Sequence, residues 1–167
     1  MQGVYTTCML IPHLFAKEPI PAITNPDLLA AIELVRRAPT VEAAMQKALD
    51  ILSVKFESKR FRTYLLFWKA FEKDPNTLWE RKGFLHCTHQ NYLFRVLMVK
   101  SEKLTDDQIT LGFSFVWDIS IHQYLIITVD GKRIAADPWN YDFGATLGKY
   151  ASGFGMKRLY DFPASRV

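Results

Sequence analysis

Cysteine is scarce in this 167-residue sequence, with Cys8 and Cys87 the only two. They lie far apart, so a disulfide framework is not indicated and at least one free thiol is expected. Long apolar runs are also missing, since nothing approaches the roughly 20 residues that cross a bilayer as a helix. The stretch from Met1 to Ile23 has no basic leader region and only the brief apolar cluster Cys8-Met9-Leu10-Ile11. The expectation is a cytoplasmic protein with no membrane association. Charge of one sign is not in excess: 21 Lys and Arg face 17 Asp and Glu, a net +4. The basic residues are scattered, and the densest stretch, Lys55 to Arg62, alternates with Phe56 and Phe61 as an amphipathic helix surface does. No zinc-finger, RRM or helix-turn-helix signature accompanies them, so no nucleic-acid partner is expected. Low-complexity sequence is absent too. Hydrophobic residues make up 49% and aromatics 14%, which excludes disorder and places 1–167 as one folded domain.

Residues 1–24 hold three prolines and no period, and read as an irregular arm. Asn25-Pro26-Asp27 opens a helix that Leu28, Leu29, Ile32 and Val35 carry to Pro39. Thr40 caps a second, with Ala44, Met45, Ala48, Leu49 and Leu52 as its apolar stripe. A third is predicted from Ser58, with Phe61, Leu65, Trp68 and Phe71 inward, until Asp74-Pro75-Asn76 breaks it. Beyond Gly83 a helical pattern resumes, with Leu93, Val96 and Leu97 on one face and Cys87 at its start. After Ser101 the period changes. A short turn or helix around Thr105 to Gln108 precedes strands at Phe113 to Trp117, Ile121 to Val129 and Lys132 to Ala136. The aromatic, glycine-rich tail from Tyr141 has no assignable elements. The fold class is therefore α+β: a mainly helical lobe over 25–100 packed on an antiparallel sheet over 110–143.

Asp130-Gly131 is a strong two-residue hairpin signal, and it pairs Val129 with Lys132. Counting back along both strands sets Tyr124 opposite Asp137. Paired residues share a face and side chains alternate, so His122 and Asp137 project to the same side at a diagonal of about 7–8 Å, close enough for a carboxylate to reach an imidazole. A carboxylate beside a histidine fixes its tautomer and stabilises the imidazolium, as a base serving a thiol requires. Cys87 supplies the nucleophile. A helix start favours a thiolate through its exposed amides and macrodipole, and the Cys87 N–H is one donor for an oxyanion. A second donor is sought between Trp79 and His86. Tyr124 is expected to pack against the helix carrying Cys87, and His86 and His89 to flank the thiol cleft.

The order of these residues resembles the transglutaminase-like superfamily. The resemblance rests on Gly83 shortly before Cys87 with a helix behind it, on His122-Gln123-Tyr124, and on Asp137-Pro138, and it spans roughly residues 60 to 143. One departure is that Phe84, Leu85 and His86 separate the glycine from the cysteine, where the family commonly has one residue. The resemblance implies a cysteine-proteinase-like fold and a catalytic triad of Cys87, His122 and Asp137. It also implies acyl transfer or hydrolysis of an amide or peptide bond through a thioester, with a protein, peptide or amide as substrate and no cofactor. It equally covers catalytically silent relatives that keep the fold as binding modules. The proximity of His86, Cys87 and His89 raises a zinc alternative with His122 as fourth ligand, but that arrangement leaves Asp137 idle and lacks the usual paired spacing. No metal is expected.

Overall fold

A computed structural model describes residues 16–59, 72–117 and 120–161. Helix α1, Pro26–Arg36, begins where the Asn25 side chain accepts the amides of Asp27 and Leu28. Helix α2, Val41–Lys55, begins where Thr40 accepts the amide of Ala43. Helix α2 buries the whole stripe read from its periodicity, while α1 buries Leu28, Ile32 and Val35 but leaves Leu29 46% exposed, one position off the inward face. At Phe56 the chain turns extended, and strand β1, Phe56–Glu57, pairs in parallel with β2, Gly83–Phe84. Ser58 and Lys59 are not helical, so the third helix does not start where its sequence predicts; Phe61, Leu65, Trp68 and Phe71, like Cys8, lie outside the described residues. Asp74-Pro75-Asn76 does more than break a helix. Asp74 accepts the amides of Asn76 and Thr77 and so opens helix α3, Pro75–Glu80, with the same cap-then-proline grammar as α1.

Helix α4, Cys87–Lys100, is the centre of the molecule, buried from Cys87 through Met98. It packs against α1 and α2 on one side and the sheet on the other. Leu93, Phe94, Val96, Leu97 and Met98 are all 0% exposed. Truncating Phe94 to alanine there removes about 3–5 kcal/mol. A polar strap holds the outer side of α4. Arg95 pairs with Asp106 and donates to the Glu18 carbonyl at 2.7 Å, while the Lys17 ammonium donates to the Ile109 carbonyl at 2.9 Å.

A 3-10 turn, Asp106–Gln108, leads into the antiparallel sheet β3, Ile109–Val116; β4, Ser120–Val129; and β5, Lys132–Ala136, in that spatial order. Asp130 and Gly131 both take positive φ, 51° and 73°, as the predicted two-residue turn requires. Val129 faces Lys132 and the ladder runs to Leu125 opposite Ala136. Leu125, Ile127, Ile134 and Ala136 face the helical core. On the other face the Tyr124 ring lies across Gly112, where an added Cβ would stand 2.6 Å from it, and stacks on Tyr150 at 4.0 Å. Tyr124 thus packs within the strand layer, contrary to its expected place against α4.

The predicted sheet region, 110–143, ends earlier than expected. Asp137 caps a short helix α5, Pro138–Tyr141, and the tail then forms a hairpin of β6, Lys149–Ser152, and β7, Gly155–Arg158. This hairpin is fastened to the first sheet. The Trp117 amide donates to the Gly153 carbonyl at 2.9 Å, and the Gly153 amide to the Phe115 carbonyl at 2.7 Å. The fold is a mixed helix and strand arrangement of the α+β kind. Among the described residues no helix is long and apolar enough to cross a membrane.

Candidate active site

Strand β4 extends past the end of β5, because Ala136 pairs with Leu125 while β4 begins at Ser120. The chain leaving β5 becomes Asp137 and α5, beside the overhanging stretch that carries His122. His122 Nε2 lies 2.8 Å from Asp137 Oδ2, with both side chains buried. The carboxylate accepts three more hydrogen bonds: from the Asn140 amide at 3.1 Å, the Asn140 side chain at 2.9 Å and the Ala151 amide at 3.0 Å. Four donors hold the Asp137 carboxylate in one position. With Nε2 given to Asp137, the other ring nitrogen, Nδ1, is left for Cys87, whose side chain hydrogen-bonds the imidazole.

These neighbours set the basicity of His122. Burial of the ring lowers it, but the Asp137 charge, the Asp137 hydrogen bond and the adjacent Cys87 sulfur override burial and push the pKa up to about 10. The raised pKa favours the imidazolium, which has one N–H for the carboxylate and one for the sulfur.

Cys87 is a free thiol, 9% exposed, and the first residue of α4. The preceding N-cap residue, His86, makes no side-chain cap bond. The first internal bond of the helix runs from the Gln90 amide to the His86 carbonyl. The Cys87 and Thr88 amides therefore have no acceptor among the described residues. Free amides and the positive end of a long helix meet at the sulfur, an arrangement that stabilises negative charge there.

Cys87 and His122 share the wall of a cleft of about 200 Å³ with Trp139, Asn140 and the ends of the β3–β4 and β6–β7 hairpins. No residue of 79–86 lines it. That segment thus offers the cleft no donor. His86 and His89 do not flank the cleft either. Their rings pack on each other at 5.8 Å and that of His86 on Phe84 at 5.0 Å, inside the protein. Residues one before and two after Cys87 point to other sides of a helix that is buried all round.

The chain matches no protein-family model, no curated protein and no solved structure.

Among the described residues no three His, Cys, Asp or Glu side chains come together as ligands for one metal ion. Two members of the site escaped the sequence reading. Asn140 had a signal, since it stands three residues after an aspartate N-cap, where a capping-box side chain reaches back. Ala151 had none, because it contributes only its backbone amide from a distant strand.

Proposed function

We propose that this domain is a cysteine-nucleophile hydrolase or acyltransferase acting on amide or peptide bonds, transglutaminase-like in fold and chemistry. One observation carries the reading: a single buried imidazole bridges a thiol and a saturated carboxylate in the wall of a cleft. The Cys87 sulfur attacks the carbonyl carbon and forms a C–S bond. The oxygen takes up the displaced π electrons and is held by the free amides at the start of α4. As the tetrahedral intermediate collapses the C–N bond breaks, and the nitrogen leaves with the proton from His122 Nδ1. Water then gives a proton back to Nδ1 and attacks the thioester, releasing the acid and restoring the thiolate. An amine in place of water completes a transfer. Asp137 keeps its charge throughout and orients the ring.

The test is adduct mapping with p-nitrophenyl acetate and with iodoacetamide. The expected result is a hydroxylamine-labile acetyl group on Cys87, and alkylation of Cys87 faster than of Cys8 by a margin that His122→Ala erases. Acetylation elsewhere with Cys87 unmodified, or equal alkylation of the two thiols, overturns the nucleophile. A folded domain that forms no adduct is the silent module instead.

A further inference from the structure

The wall of the cleft has a composition that the bond-breaking chemistry does not call for. Among the described residues, Cys87 and His122 are its only ionisable side chains: no described Asp, Glu, Lys or Arg lines it. Its outer wall comes from the two hairpin ends, through Trp117 and Ile121 on one and Phe154 and Met156 on the other. These four are 43%, 42%, 83% and 41% exposed, so four large apolar side chains stand in water at one mouth. Scattered singly they would be ordinary surface; converging beside a nucleophile they form a built apolar site. The wall is also held under strain. Trp117 takes φ 55°, a left-handed conformation that bulky residues avoid, and its amide is fastened to the Gly153 carbonyl beside Phe154. The cleft of about 200 Å³ exceeds the roughly 150 Å³ cavity that accepts benzene. It has room for one aromatic or branched aliphatic side chain.

We infer that the site selects amide substrates carrying one uncharged aromatic or branched aliphatic side chain next to the attacked carbonyl, seated among Trp117, Ile121, Phe154 and Met156. This rests on the proposed role of Cys87. A charged side chain entering among these four apolar groups loses its water, so it is rejected more strongly than a small one. The apolar side chain completes the burial of the four walls and so holds the carbonyl against the sulfur.

The experiment is a series of p-nitrophenyl esters of N-acetylated phenylalanine, leucine, glycine and aspartate, read as the pre-steady-state burst and as kcat/KM. The burst, absent in Cys87→Ala, reports the nucleophile; the ratio between esters reports the pocket. Phenylalanyl and leucyl esters should exceed the glycyl ester on the order of tenfold or more, with the aspartyl ester lowest. Phe154→Ser and Met156→Ser should narrow the phenylalanine-to-glycine ratio, and the exposure of Phe154 spares its variant any folding defect. A burst with no apolar preference overturns this inference and leaves the nucleophile standing. No burst with any ester overturns the nucleophile. The pocket is then read by titrating N-acetyl-phenylalaninamide and N-acetyl-aspartamide into Cys87→Ala by NMR, where equal or absent binding removes the inference as well.

Discussion

Helices α4 and α5 both begin at the cleft, and their first turns are finished in opposite ways. At α5, Asp137 accepts the Asn140 amide, and the same carboxylate is gripped by His122, the Asn140 side chain and the Ala151 amide. At α4, the His86 side chain makes no cap bond, and the Cys87 amide has no acceptor among the described residues. The α-helices α1, α2 and α3 follow the first pattern, capped by Asn25, Thr40 and Asp74. An open helix start sacrifices about 1 kcal/mol of capping. Among the described helices, the sacrifice falls at the start that carries the cysteine. In the proposed mechanism, saturation holds a charge that must not move and vacancy leaves donors for a charge that forms during the reaction.

Removing the sulfur breaks the comparison most severely. Cys87→Ala should lower kcat/KM on an amide or ester substrate by on the order of 10⁴-fold or more, with the thermal melt intact. Residual turnover in that folded variant near the wild-type rate would end the case for α4 as the site of charge development.

Asp137→Asn attacks the saturated end. An amide nitrogen would replace one carboxylate oxygen among donors that all need acceptors, so the variant should lose about 1–3 kcal/mol of stability in addition to roughly 10²- to 10⁴-fold in rate. Unchanged stability, measured by urea unfolding, would mean that the four donors do not depend on the carboxylate.

The electrostatic bond between the two ends is read by pH. The folded-state pKa of His122 is raised, to about 10 from 6.5, so its contribution to stability is complete below about pH 6.5 and is lost as pH rises toward 10. The melting-temperature gap between wild type and His122→Gln should therefore shrink across that window, and kcat/KM should fall at its alkaline end as the proton donor disappears. A gap that stays constant or widens with pH contradicts the ion pair.

The gentlest perturbation is to cap the open helix. His86→Asp places an anionic acceptor before α4, competing for the Thr88 amide and repelling an oxyanion; a drop in kcat/KM on the order of tenfold is expected. Asn25→Ala is its counterpart far from the cleft. It should cost about 1 kcal/mol in chemical denaturation and leave kcat/KM within about twofold. Equal kinetic effects from the two variants would show that capping matters only through global stability.

How legible all this was depends on how local the causes are. The β4–β5 register followed from two residues, because Asp130-Gly131 accepts the positive φ values of a tight turn and the parity of the ladder does the rest. Helix starts at Asn25 and Thr40 were equally plain, since cap and proline act within one turn. The β1–β2 pair was invisible: two residues on each side, brought together across a long stretch of chain, have no period to detect. The β6–β7 hairpin was hidden for a related reason. Every residue of β7 is exposed, so no alternation marks it, and the hairpin's place is set by the Gly148 and Gly153 amides donating to the first sheet and by the Leu159 carbonyl accepting the Ala135 amide. The inward turn of His86 and His89 depended on α4 being buried all round, which a mixed polar and apolar sequence did not announce.

The Asp130–Gly131 turn is exposed on the surface and touches nothing in the cleft. Such loops ordinarily tolerate insertions well. This one works as a reading frame. A single added residue that shifted the ladder by one would exchange inside for outside along β5, carrying Asp137 away from His122 and bringing Arg133 and Ala135 toward the core in place of Ile134 and Ala136. The site can therefore be lost by an insertion or deletion in a loop that contains none of its residues.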